Sequence, residues 1–173
     1  MAYKPGDIIK MMNGKTVEIV STDAEGRMTI ADAITYSKKY YKPSKIINIA
    51  TLTGACAITF GNEVIGMMGN NDDLMSHLYD AGQEMYEIVW KMPLCREYGD
   101  YIKGDFGDIK NSGGRYGAML TAGYFLKEFA EETKWVHLDT ASTSWIEKDK
   151  PYLTKGASGS GFRLLLEMLA NYD

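Results

Sequence analysis

The chain carries only two cysteines and two histidines in 173 residues. Cys56 and Cys95 stand far apart in apolar contexts, with no C-x-x-C partner. That argues against a disulfide framework or a zinc knuckle and for buried free thiols in a reducing cytoplasm. No segment approaches the roughly 20 consecutive apolar residues that cross a bilayer, and Met1-Ala2-Tyr3-Lys4-Pro5-Gly6-Asp7 lacks the apolar core of a secretory signal. A soluble, cytoplasmic protein with no membrane partner is expected. A basic run is also missing: 19 Lys and Arg face 23 Asp and Glu, for a net charge of −4. DNA and RNA are therefore not expected partners. Repeats and low-complexity tracts are absent.

What is there suits one compact domain with a real core, since 45% of the residues are hydrophobic. Residues 8–12 and 16–20 flank Asn13-Gly14, a dipeptide suited to a hairpin turn with positive φ at both central residues. Over residues 28–40, Ile30, Ala31, Ile34 and then Tyr41 recur at helical spacing, with Lys38 and Lys39 near the end and Pro43 closing the helix. Residues 45–50 read as a buried strand and 64–68 as another, followed by a helix over 72–87. Residues 106–116 have loop composition, 118–131 form a helix with Leu120, Tyr124 and Phe125 on its apolar side, and 135–138 return as a strand. A mostly irregular stretch over 139–160 precedes a last amphipathic helix over 162–169. Alternating strands and helices predict an α/β fold in three layers, α/β/α.

The chemistry-bearing stretch is Ser21-Thr22-Asp23-Ala24-Glu25-Gly26-Arg27-Met28, between an apolar strand and a helix. If it is extended, Asp23, Glu25 and Arg27 project to one side and face one small volume. Carboxylates suit divalent ions such as Mg, Mn and Zn, and a permanently charged Arg can hold an anion but cannot act as a base. The pattern points to metal-assisted hydrolysis. The plainer alternative is a solvated helix start, where acidic side chains complement the dipole. Residues 51–54 follow the next strand, and both loops would share a pocket if the two strands are neighbours. Gly54 would there allow close approach of backbone to a ligand.

The octapeptide resembles the N-T-D-A-E-G-R-L signature of the leucyl (cytosol) aminopeptidases, the M17 family, departing from it at Ser21 and Met28. Further segments follow in family order: Lys4-Pro5-Gly6-Asp7, Asn13-Gly14-Lys15-Thr16-Val17-Glu18, Ala50-Thr51-Leu52-Thr53-Gly54-Ala55, Gly113-Gly114-Arg115, Thr121-Ala122-Gly123, His137-Leu138-Asp139 and Pro151-Tyr152-Leu153-Thr154-Lys155-Gly156. The resemblance implies a mixed central sheet between helical layers. It also implies a peptidase that releases N-terminal amino acids with two divalent ions, manganese or zinc, with magnesium a further option. By motif position Asp23 and Glu25 would be metal ligands, with Glu25 bridging, and Arg27 the catalytic residue that holds a bicarbonate. Thr51, Leu52 and Gly54 would line the substrate cleft. Ala141 falls at a small pocket position, where Asp139-Thr140-Ala141-Ser142 replaces the usual D-I-A-G and leaves side-chain preference open.

Other residues read as structural. His77 fits a solvated helix face, His137 fits a structural hydrogen bond better than metal ligation, and Asp105 and Asp108 fit turn formers capping their own backbone. The methionines read as core filler. The family's upstream D-S-G-G-type motif, with its catalytic Lys and the remaining ligands, has no match here. The expectation is that residues 1–173 are the C-terminal portion of such a catalytic domain, inactive alone and completed by an upstream half on a longer or separate chain. Peptide is the expected substrate and a homo-oligomer the expected assembly. The alternatives are a stand-alone, catalytically dead binding or assembly module and a gene fragment without function.

Overall fold

The computed structural model describes residues 2–171. The chain has an α/β fold with mixed sheets and surrounding helices. Where its length suggests one domain, its contacts group into two compact units, Met1–Ile46 with Pro93–Trp135, and Ile47–Met92 with Val136–Asp173.

In the first unit, β1 (Ile8–Lys10) and β2 (Thr16–Glu18) pair antiparallel, with Ile9 opposite Val17. The turn between them differs from expectation. Met11 N–H donates to the Lys15 carbonyl at 2.8 Å and Gly14 N–H to the Met11 carbonyl at 2.9 Å. Gly14 has φ +94°, whereas Asn13 keeps a negative φ and accepts the Lys15 N–H on its side chain at 3.0 Å. The hairpin thus has a three-residue loop with glycine at its left-handed position. A 3-10 turn at Thr22–Ala24 leads into α1 (Glu25–Tyr41), three residues ahead of the periodicity-based start. Arg27, Met28, Ala31 and Ile34 form its buried face, and Tyr41, expected inward, is 74% exposed. Lys42 ends the helix in the left-handed region, just before Pro43.

Between residues 93 and 135 lie α4 (Tyr98–Tyr101), β6 (Ile109–Lys110) and α5 (Ala118–Ala130). β6 joins β2 in parallel, a pairing hidden inside a stretch of loop composition. α5 buries Met119, Ala122, Phe125, Leu126 and Phe129 and packs against α1, while Leu120 and Tyr124 flank that face half-buried. Asp108 does not cap its own turn. Its Oδ2 accepts the Thr16 N–H and hydroxyl, both at 2.7 Å, fastening the loop to β2. Those donors hold its carboxyl below the usual range. The Gly107 and Phe106 backbone N–H groups do the same for Glu18. Asp105 pairs with Lys110 at 2.8 Å.

In the second unit, β3 (Lys45–Ala50), β7 (Lys134–Asp139), β4 (Ile65–Gly69) and β5 (Val89–Lys91) form a sheet in that order. β4 runs parallel to β5 and antiparallel to β7, so the sheet is mixed. β3 is half-buried rather than buried because it lies at the sheet edge. The helices are α2 (Gly54–Phe60), which sequence reasoning missed, α3 (Asp72–Glu84) and α6 (Phe162–Ala170). Ile65, Met67, Leu74, Leu78, Val89, Val136, Leu138, Leu164 and Met168 close one core between sheet, α3 and α6. A short ribbon of β8 (Trp145–Ile146) and β9 (Gly156–Ala157) interrupts the irregular stretch. The turn that opens α6 has glycine at the cap, Gly161 with φ +89°, and is closed by Glu87 instead. That buried carboxylate accepts the Gly161 and Leu164 N–H groups at 3.1 and 2.8 Å.

Candidate functional site

Asp23, Glu25 and Arg27 do not share one face of an extended segment. Asp23 stands in the 3-10 turn and Glu25 and Arg27 in the first turn of α1, where residues two apart point roughly 200° apart round the axis. Asp23 and Glu25 are exposed, and Arg27 is turned inward, 8% exposed, with Nη1 donating to the Asn111 carbonyl at 3.0 Å. The two carboxylates thus lie at a helix N-terminus open to solvent, and the guanidinium lies beneath them on the buried face of the same turn.

Asn111 makes this geometry. It is fully buried, and its Oδ1 accepts the Val20 and Ser21 N–H groups at 2.9 and 3.2 Å while Nδ2 donates to the Ser21 carbonyl at 2.6 Å. One side chain satisfies the backbone where the strand ends and the turn begins. Sequence reasoning missed it, although the preceding Gly107 and the following Gly113-Gly114 mark a segment bent for close approach.

The carboxylates have the chemistry of hard-cation ligands. Among the described residues, however, no group of three or more His, Cys, Asp or Glu side chains stands together to hold a metal ion. Asp23 and Glu25 supply two exposed carboxylates of that chemistry.

The other predicted residues belong to the second unit, and β2 and β3, whose loops would meet if they were neighbours, fall in different sheets. Thr51 and Gly54 are exposed, Leu52 and Ala141 half-buried. A Cβ added at Gly54 would meet open space, so the start of α2 is unobstructed on that side. Two of these four, Leu52 and Ala141, are joined through one group, the fully buried Asp139 at the end of β7, and no such bond reaches Thr51 or Gly54 among the hydrogen bonds of the described residues. Its Oδ1 accepts the Leu52 and Ala141 N–H groups, each at 3.1 Å, and its Oδ2 accepts the Thr53 hydroxyl at 2.7 Å. That hydroxyl in turn accepts the Cys56 N–H at 3.2 Å, capping α2.

Burial pushes the Asp139 carboxyl above the ordinary aspartate range, and the Thr53, Ala141 and Leu52 donors oppose this without cancelling it. A carboxyl that keeps its proton to higher pH in the folded state favours folding most in acid, and that contribution is lost as pH rises through the folded pKa. Asn at this position has no such titration. The unfolding free energy of wild type minus Asp139→Asn is therefore expected to fall as pH rises above the ordinary aspartate range in urea titrations. A difference that rises with pH would show that the donors outweigh burial.

The histidines and cysteines sort by burial. His77 is exposed on α3, with Nδ1 against the Asp73 carbonyl at 2.7 Å. His137 is fully buried, and the Asn48 amide donates to its Nδ1 at 2.7 Å, the structural bond expected. Cys56 is buried, with its thiol pushed up by burial, but Cys95 is exposed, against expectation. A groove in the second unit, lined by Tyr86, Glu87, Lys150, Tyr152 and Arg163 among others, contains none of the predicted site residues.

Comparison with known proteins places this geometry in context. The family described as "Cytosol aminopeptidase family, catalytic domain" matches residues 1–166. A probable cytosol aminopeptidase of Geotalea uraniireducens (strain Rf4) is 52% identical over 168 residues, covering 97% of this chain and 34% of the relative. That of Geobacter sulfurreducens is 49% identical with the same coverage. That of Clostridium tetani is 52% identical over 158 residues, 91% of this chain and 33% of its own length. The chain thus spans about a third of the length of the curated relatives it matches.

Proposed function

Because the chain belongs to the cytosol aminopeptidase family, we propose that it is the C-terminal portion of the catalytic domain of a peptidase that releases N-terminal amino acids. In this reading Asp23 and Glu25 are ligands to divalent ions, manganese or zinc, Arg27 holds a bicarbonate, and residues 51–54 with Ala141 line the peptide cleft. When bound, such ions polarise a peptide carbonyl and lower the pKa of a water. The chain's own residues offer exposed carboxylates at a helix N-terminus, a guanidinium anchored in the same turn, and exposed backbone at the start of α2.

The observation that carries the reading is identity near 50% sustained over 97% of the chain. The relatives are about three times as long and only two carboxylates stand in the signature, so the remaining donors are assigned to an upstream half, on a longer or a separate chain. Co-expression with that half is expected to give manganese- or zinc-dependent release of N-terminal residues, lost in Glu25→Gln. Persistent inactivity of a correctly assembled complex would favour a stand-alone binding module instead. Tight two-ion binding by the 173-residue chain alone, in calorimetry, would remove the need for upstream donors.

A cytosolic setting and self-association belong to the same proposal. α6 exposes Phe162, Leu166 and Leu169, at 68%, 59% and 70%, on one side at helical spacing. An apolar stripe of that kind marks a contact surface. Light scattering is expected to show an oligomer, and a clean monomer at all concentrations would count against it.

A further inference from the structure

We propose that Asp139 is the positioning residue that holds the two walls of the substrate cleft, residues 51–54 and 140–142, at a fixed spacing, and so governs how tightly a peptide is held rather than how fast it is cut. The inference rests on the reading of those segments as the substrate side of an aminopeptidase.

The geometry is that of a clamp. Asp139 is the last residue of β7, so its backbone is fixed by the sheet, and its side chain is fully buried. Oδ1 takes the Leu52 and Ala141 N–H groups at equal distances of 3.1 Å, with the Thr53 N–H more distant at 3.5 Å. Oδ2 takes the Thr53 hydroxyl, which passes the constraint to the first turn of α2. Residues 51–53 and 140–142 are irregular backbone, joined at their base by the Thr140 N–H to the Ala50 carbonyl at 2.9 Å, and hydrogen bonds lose strength quickly when stretched or bent. Beyond that backbone bond and the Cys56 thiol on the Ser142 hydroxyl at 3.4 Å, the short Asp139 carboxylate bonded to both segments fixes the separation of Leu52 and Ala141 themselves. Burial pushes its carboxyl up, so the group is kept at a cost to stability near neutral pH. What it provides there is placement of two backbone segments.

Three substitutions separate placement from bulk stability. Asn keeps an acceptor for Leu52 and Ala141, and its amide can donate to the Thr53 oxygen. Ala removes both oxygens. Glu keeps the buried charge on an arm one methylene longer and so shifts the walls without emptying the site. In the 173-residue chain, Asp139→Ala and Asp139→Glu are expected to speed amide exchange at Leu52 and Ala141 together, by about tenfold or more, with Asp139→Asn close to wild type. In the complex assembled with the upstream half, the same two variants are expected to raise KM for a dipeptide about tenfold with kcat changed less than about threefold, and Asn to restore wild-type KM.

If Asp139→Ala does not fold, Asp139→Glu carries the test. Unchanged exchange at Leu52 and Ala141 in a folded Ala or Glu variant would overturn the clamp whatever the activity shows. Faster exchange with unchanged KM would overturn its role toward substrate. If the assembled wild type cleaves no peptide, the aminopeptidase reading fails, while exchange still decides whether Asp139 ties the two segments.

Discussion

Asn111→Ala is expected to destabilise the chain by about 3 kcal/mol and to loosen the signature segment. The side chain is fully buried and makes three hydrogen bonds to the backbone of Val20 and Ser21. A buried backbone group left without its partner costs about 1–3 kcal/mol, offset where water reaches the groups of exposed Val20 and half-buried Ser21. Removal would also free the entry to the turn that carries Asp23 and Glu25, because the pairing partner of residues 20–21 would be gone. Asn111→Asp is not expected to rescue it: a second oxygen would face the Ser21 carbonyl, acceptor against acceptor. Urea unfolding measures the loss. A change under about 1 kcal/mol would mean that the Asn111 backbone, through Glu18 at 2.9 Å and Arg27 at 3.0 Å, holds the segment without the side chain.

Phe125→Ala is expected to cost about 4 kcal/mol, within the usual range for emptying a buried aromatic site. Phe125 is fully buried on α5, its ring centroid 5.2 Å from that of Phe129, on the helix that packs against α1. The site cannot collapse easily, since neighbouring Ala122 and Leu126 are also fully enclosed. Phe125→Leu, which leaves a smaller void, is expected to lose less than half as much. Equal losses for the two variants would show that ring packing, not cavity volume, sets the cost.

Long elements with strong periodicity are legible in the sequence itself. α1, α3, α5 and α6 lie within a few residues of their expected positions, because buried residues in each helix repeat at the helical period. The extended reading of residues 23–27 fails for a local reason. Five residues cannot distinguish a strand from the first turn of a helix, and neither the 3-10 turn nor α1 has a side-chain cap to announce its start. The better signal is the three-residue spacing from Met28 to Ala31 to Ile34, which continues the helix back through Arg27.

The candidate residues divide along the same line. Asp23, Glu25 and Arg27 are picked out by chemistry and spacing and then by motif resemblance, and Thr51, Leu52, Gly54 and Ala141 chiefly by resemblance, which records chemistry but not shape. Asn111 reaches Val20 91 positions away and Asp139 reaches Leu52 87 positions away as well as nearby Ala141, and no pattern in a single sequence records such long pairings. Asp108 shows the same limit: it has turn-forming chemistry, yet its partner is Thr16 on another strand.

Glu87 at the start of α6 bears on the order in which the chain closes. A helix with a local cap can begin to form as soon as its own residues are available, whereas α6 has glycine at its cap and takes its N-terminal acceptor from a residue 77 positions earlier. Its first turn is secured only after that long loop has closed, and loop closure of this kind slows folding. During synthesis, Glu87 emerges well before the N–H groups that will satisfy it. α6 is therefore expected to dock late, and the second unit to remain open along α3 until α6 is in place.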